Sequence, residues 1–428
     1  MTALPSTASE PGLARTYYPL SALGHLSPRA DIALLTGGGD RPYVFGLRNA
    51  LLEQGLRVDV VGSDTLFAPE LLTTDGLRFL NLQESWPPEG GLLHRLSKVA
   101  LFYFKLIRYV AASAPPILHI LWNHHQKLEL IDRTLLMVIY RLLGKRIVMT
   151  AHNVNTAKRD GHDGWLNRWT LGFQYRLCDH IFVHTEAMLR ELAADFGIPA
   201  THSSVIPFGI NNSIPTTSLT PAQARHRLGL APDHRVVLFF GRIQPYKGLE
   251  HLVEALIRVQ AQSTDAQIYR LVIAGLPMKE YEGYWQKIEQ RIRESSLNGA
   301  VVLAAEHIPE SEVEVYFKAA DVTVLPYVGI YQSGVLFLSS SFGLPVIATD
   351  VEAFSSEIVV GETGFLVRPG DPVHLAEQLD HYFNSPLYQE LETRRPKIFE
   401  HVERLHSWSL VGRLTRSVYD RLRTGSRP

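Results

Sequence analysis

The chain has 428 residues, 46% of them hydrophobic and 20% charged, with a formal net charge of −1. This length exceeds what one hydrophobic core holds and implies two or three domains, and the near-zero charge lends no support to a nucleic-acid binder. The single cysteine, Cys178, excludes an internal disulfide and fits a reducing, cytoplasmic compartment.

Residues 1–29, rich in Pro, Ser, Thr and Ala, are expected to be disordered or loosely packed. They lack the basic stretch and apolar core of a signal peptide. No uninterrupted apolar run in the chain reaches the roughly 18 residues that span a bilayer. The first predicted strand, Asp31–Thr36, runs into Gly37-Gly38-Gly39-Asp40-Arg41-Pro42-Tyr43, with a helix following from about Phe45. Glycines at such a turn let backbone N–H groups approach an anion; a tight turn without a ligand is the competing reading. The spacing is not that of the dinucleotide fingerprint, so no NAD site is expected.

Further strands are predicted at Arg57–Gly62, Leu77–Leu82, Ile117–Leu121, Arg146–His152, His180–Thr185 and Ser204–Pro207. Between them, Leu92–Val110 reads as a helix whose His94, Lys98, Lys105 and Arg108 fall within roughly 80° of arc. Beside its Leu, Phe and Tyr residues this stripe suits anionic lipid, or an ordinary covering helix with a solvated face. His124 and His125, His152, and His184 stand at three successive strand ends and suggest the lining of a site. There His152 can hydrogen-bond a ligand hydroxyl or a developing charge; the alternative is a satisfied core histidine. No paired His/Cys/carboxylate spacing supports zinc. Cys178 lies in an apolar run and reads as core.

Residues 210–233 contain the boundary, with Thr220 capping a short helix, Ala222–Leu228, whose first turn carries Pro221. Strands follow at Val236–Gly241, Tyr269–Gly275, Ala300–Ala305, Val322–Pro326, Pro345–Asp350 and Gly364–Arg368. Near-continuous apolar strands imply burial on both faces, hence parallel sheets covered by helices. The fold class is therefore α/β, with two doubly wound domains and a cleft between them. Gly241, Arg242 and Lys247 place two cations at a strand's carboxyl end just before a helix from Leu249, a setting that suits a diphosphate; a surface turn with solvated charges is the competing reading. Ser333 and Gly334, ahead of a helix containing Phe337–Phe342, form a second anion cradle or a plain cap. The last stretch, Ser407–Leu422, has helical periodicity and is expected to cross back to the first domain.

Three segments carry a family resemblance. They are Phe-Phe-Gly-Arg-Ile-x-x-Tyr-Lys-Gly-Leu-Glu at 239–250, Thr-Ala-His-Asn-Val at 150–154, and Gln-Ser-Gly-Val-Leu…Phe-Gly-Leu-Pro-Val-Ile-Ala-Thr-Asp at 332–350. With Gly361–Asp371 they resemble glycosyltransferase family 4, retaining enzymes of the two-lobed GT-B architecture. The resemblance runs from about residue 31 to about 420. It implies domains at 30–215 (acceptor) and 216–400 (nucleotide-sugar donor), with 401–428 returning to the first. It implies that Arg242 and Lys247 bind the donor diphosphate, helped by the backbone of Ser333, Gly334 and Val335. His152 then contacts the transferred sugar. The loop of Gly37, Gly38 and Gly39, with Asp40 and Tyr43, approaches phosphates or acceptor. Glu306-His307-Ile308-Pro309 resembles the base-recognition stretch, implicating His307 and Ile308. The family's Glu-x7-Glu pair is replaced by Ile330 and Leu338, leaving Gln332, Tyr331, Glu352 and Glu357 as candidates for its contacts. Implied are a UDP- or GDP-linked sugar as substrate, no cofactor or metal, and a glycan or lipid-linked acceptor in polysaccharide or glycoconjugate assembly. Contact with an anionic membrane at its inner face fits the same picture. A silent GT-B protein that regulates a partner, and an epimerase or phosphorylase on the same architecture, are the alternatives.

Overall fold

The structure is a computed structural model describing residues 30–37, 40–83, 91–112, 115–124, 128–159, 161–210, 214, 216–263, 268–330 and 332–425. Residues 1–29, Gly38, Gly39, His125 and Tyr331 lie outside the described residues. In the first lobe β1 (Ile32–Leu35), β2 (Val58–Ser63), β3 (Leu77–Gln83), β4 (Ile117–Ile120), β5 (Arg146–Thr150), β6 (His180–Val183) and β7 (Ser203–Val205) form one parallel sheet in the order β3-β2-β1-β4-β5-β6-β7. In the second, β8 (Arg235–Phe240), β9 (Tyr269–Ala274), β10 (Val301–Ala304), β11 (Val322–Leu325), β12 (Val346–Thr349) and β13 (Gly364–Val367) form another, ordered β10-β9-β8-β11-β12-β13. In each sheet the strand order reverses next to the first strand, where α/β sheets open a crevice at their carboxyl ends.

Every residue of β1, β2, β4 and β6 is buried, because helices cover both faces. The buried acid in β2, Asp59, is satisfied by the Arg78 guanidinium and by the Tyr109 hydroxyl at 2.6 Å. Leu92–Ala112, Leu136–Leu142, Trp165–Leu177 and Glu186–Phe196 pack on one face of the first sheet. Arg41–Glu53 and Trp408–Arg423 pack on the other.

Two helix boundaries depart from expectation. The first helix starts at Arg41, not Phe45, because Pro42 fits a first turn that needs no N–H there and Asp40 takes the cap position. The short interlobe helix is Pro221–Arg227, and Thr220 and Gln223 close a reciprocal capping box. Most strands stop one or two residues short of their predicted ends, while β2 and β3 run one residue past theirs; His152 thus lies just beyond β5, where the Ala151 N–H still reaches the Phe182 carbonyl at 2.8 Å.

The chain crosses between lobes twice, near 206–220 and again at 406–408. At the second crossing the Trp408 indole fills space that a Cβ at Gly46 or Gly209 would occupy, 2.0 and 2.4 Å from its ring atoms. Its N–H donates to the Ile210 carbonyl at 2.9 Å. Val411, Val418 and Tyr419 then join Ile32, Leu34 and Leu47 in one core, so the last helix packs in the first lobe.

Candidate functional site

Gly37 ends β1 with φ +56, and a Cβ there would lie 2.4 Å from the Trp122 carbonyl and 2.5 Å from that of Asn123. Only glycine permits this approach. It presses the loop onto the exit of β4, where the Trp122 indole stacks on the His152 ring, centroids 4.1 Å apart and planes 8° from parallel. Tyr43, one turn into the first helix, meets the same imidazole edge-on at 4.6 Å. Asp40 reaches solvent at the cleft mouth; crowding by the cleft walls, and then Glu310 of the second lobe, raise its carboxyl to about 6. Of the predicted loop, Tyr43 touches His152 and Gly37 abuts the backbone that carries Trp122, while Gly38 and Gly39 lie outside the described residues.

The protons of the histidine pair can be assigned from its partners. His184 Nδ1 faces the Ile206 carbonyl at 3.1 Å, an acceptor, so Nδ1 carries the proton. Burial lowers His184 to about 4 and holds His152 well below its ordinary range, so both rings are neutral at pH 7. His184 Nε2 therefore accepts, and His152 Nδ1 donates to it across 2.9 Å. His152 Nε2 is left as a buried lone pair without a hydrogen-bond partner among the described residues. Such an atom accepts a hydrogen bond from a ligand hydroxyl. His124, by contrast, turns its ring against Phe102 at 5.1 Å and does not join the pair.

In the second lobe β8 ends at Gly241, φ +99, followed by exposed Arg242 and a 3-10 turn, Pro245–Lys247. Gly248 follows with φ +63, and a Cβ there would sit 2.1 Å from the Pro326 carbonyl. Together with the Val328 N–H to Tyr246 carbonyl bond of 2.8 Å, this fastens the turn against the exit of β11. Lys247 is buried, with its ammonium 5.5 Å from the centre of the Tyr327 ring. Burial, and then Arg242, lower it to about 8. Neither cation pairs with a carboxylate among the described residues. A Cβ at Gly241 would be 2.9 Å from Lys247 Nζ and 3.5 Å from the Val335 side chain. The lysine therefore stands beside the first turn of Gly334–Ser341, a helix capped by buried Ser333. Unfilled N–H groups at such an end favour an anion.

Gln332, just before that cap, has both side-chain polar atoms buried and without a hydrogen-bond partner among the described residues. Ile330 packs on apolar neighbours and Leu338 is buried in the core, so neither offers a polar contact. His307 is exposed and Ile308 half-buried in the loop between β10 and the helix Glu310–Ala319. Glu352 is taken up by an ion pair with Arg190 of the first lobe. Glu357 is engaged by His406 Nε2 at 2.8 Å. Phe208 joins the half-sites: its ring lies 6.3 Å from His152 and stacks on Phe337 at 5.5 Å. Among the described residues no three His, Cys, Asp or Glu side chains gather as a metal site. Trp122 and Phe208 escaped sequence reasoning, although each directly follows a predicted strand.

The profile of Glycosyltransferase Family 4 matches residues 37–213, and that of Glycosyl transferases group 1 matches residues 234–385. A glycosyltransferase family model thus matches each lobe, and the chain is similar to glycosyltransferase family 4. Among relatives of this family, the D-inositol 3-phosphate glycosyltransferase of Acidothermus cellulolyticus is 27% identical over 382 residues, covering 86% of this chain and 83% of the relative. The enzyme so named in Corynebacterium diphtheriae is 26% identical, with 92% of each chain covered. Sucrose-phosphate synthase from Thermosynechococcus elongatus superimposes with a TM-score of 0.73 at 21% identity, over 93% of this chain and 100% of its own. Anabaena HepE in complex with UDP-glucose does so with a TM-score of 0.70 at 16% identity, over 91% and 98%. The fold is GT-B, two Rossmann-like lobes facing each other across a cleft, and the protein is a glycosyltransferase.

Proposed function

We propose that the protein moves a sugar, with retention at the anomeric carbon and without a metal, from a nucleotide-diphosphate donor to a hydroxyl acceptor. The observation that carries this reading is the buried Lys247 ammonium, with Arg242 beside it, no carboxylate among the described residues to neutralise either, and the start of Gly334–Ser341 adjoining. Charge gathers on the diphosphate as its bond to the anomeric carbon breaks, and fixed cations and N–H groups favour that distribution. The acceptor oxygen forms the new bond on the face the diphosphate leaves, and a phosphate oxygen takes the acceptor's proton. His152 Nε2 accepts from a hydroxyl of the transferred sugar, and Gln332 supplies donor hydrogen bonds where Ile330 and Leu338 cannot. The base lies against the loop of His307 and Ile308. The UDP-glucose complex of HepE favours a UDP-linked donor.

The acceptor in this reading is a glycan or a lipid-linked carrier, met in the cytoplasm at the inner face of a membrane during polysaccharide or glycoconjugate assembly. No helix among the described residues is long and apolar enough to cross a membrane. Calorimetry with UDP and GDP, followed by product analysis with nucleotide sugars, tests the proposal. Micromolar binding that disappears in Lys247→Met, with sugar transfer by the wild type, is the expected result. Absence of binding by any nucleoside diphosphate ends the donor reading. Binding without turnover would instead favour the silent, regulatory protein that Ile330 and Leu338 suggest.

A further inference from the structure

We propose that the outer face of the helix layer on the first sheet docks onto an anionic lipid bilayer. The proposal rests on the membrane-facing acceptor inferred above and extends it from one helix to a surface of three. Leu92–Ala112, Leu136–Leu142 and Trp165–Leu177 lie side by side. The Tyr103 hydroxyl donates to Asp132 at 2.9 Å, joining the first to the turn Ile131–Leu135 that opens the second. Arg133 donates to Asn167 at 2.9 Å, joining that turn to the third.

This face carries more than half of the exposed large hydrophobic side chains among the described residues. Leu142 is 81% exposed, Trp165 79%, Phe104 61%, Leu96 and Leu135 55%, and Trp169 52%. Soluble proteins rarely leave so much clustered apolar surface in water. The three helices contain seven Lys and Arg and no Asp or Glu, in a chain whose formal net charge is −1. The carboxylate in the connecting turn, Asp132, is buried and bonded to Tyr103 and to the His124 N–H. At the margins Glu129 pairs with Arg133 and Asp163 with Arg168. The surface is therefore apolar, edged by tryptophan, and positive on balance, although Arg141 pairs with Asp179 at its edge. That combination is complementary to phospholipid headgroups over acyl chains, and the charge decides for lipid over a neutral protein partner.

The test is co-sedimentation of the full chain with vesicles of phosphatidylcholine, with and without phosphatidylglycerol, at low and high salt. Wild type should bind the phosphatidylglycerol vesicles and be released by salt. Lys98→Gln/Arg108→Gln should weaken binding about 25-fold, from about fivefold per cation. Leu142→Glu/Trp165→Glu should weaken it about tenfold or more. UDP affinity, unchanged in both variants, reports an intact fold. Wild type remaining in the supernatant, or variants binding as tightly as wild type, overturns the proposal. So does a concentration-dependent dimer lost in Leu142→Glu/Trp165→Glu, which would assign the face to a second copy. A wild type that binds vesicles but no nucleoside diphosphate leaves this surface standing and removes the donor reading.

Discussion

Lys247 is held charged in a place that disfavours charge. Its folded value of about 8 lies below the ordinary 10.5, so between those two values the unfolded chain binds the extra proton and stability rises with pH. Below pH 8 the full cost of the buried ammonium, on the order of 3 kcal/mol, is present. Lys247→Met should raise the unfolding free energy at neutral pH by up to that amount, measured in urea, while abolishing turnover. In the wild type, UDP affinity should fall as pH climbs through 8, tending toward about tenfold per unit; a flat profile would show that the ammonium does not meet the diphosphate. Loss of His184 acts differently. His184→Phe deprives His152 Nδ1 of its acceptor, so the ring is free to reverse, and kcat should drop roughly 10- to 100-fold with little change in UDP affinity. His184→Gln, which can still accept from His152, should recover much of the loss. Equal damage by both substitutions would reduce His184 to a packing role.

At the scale of elements, Gly248→Ala is expected to displace the turn that presents Lys247. The new methyl has nowhere to go beside the Pro326 carbonyl, and φ +63 itself costs about 1–2 kcal/mol. Nucleotide binding should weaken more than thermal stability, because the turn lies at the cleft and not in the sheet. Runs such as Ile32–Leu35 were legible because a strand buried on both faces is apolar at every position. Their ends were not, since the apolar character of Arg146–His152 continues after the ladder with β6 stops. The cation loop was legible as a contiguous segment. Its ring partner Tyr327 was not, being eighty residues onward in the chain, and neither was the orientation of His152. That orientation depends on a histidine 32 positions away and on a main-chain carbonyl, Ile206, which carries no side-chain signature.

Across the whole molecule, cohesion between the lobes is concentrated at the two chain crossings and at the Arg190–Glu352 pair. His406 Nδ1 donates to the Phe208 carbonyl at 3.0 Å, and the Ile210 N–H donates to the His406 carbonyl at 2.9 Å, so linker and return segment are bonded to each other. Trp408→Ala empties the slot between Gly46 and Gly209 and should cost about 3–5 kcal/mol. Hydrogen exchange should report the loss chiefly in Arg41–Glu53, the helix against which Trp408–Arg423 packs.

That same slot governs the timing of biogenesis. A nascent multidomain chain ordinarily completes its amino-terminal domain while the rest is still being translated. Here part of that lobe's core is supplied by Val411, Val418 and Tyr419, which are synthesised only after the whole second lobe. The half made first is thus completed after the half made second, and a stop ahead of Val411 would injure the lobe that was translated earliest.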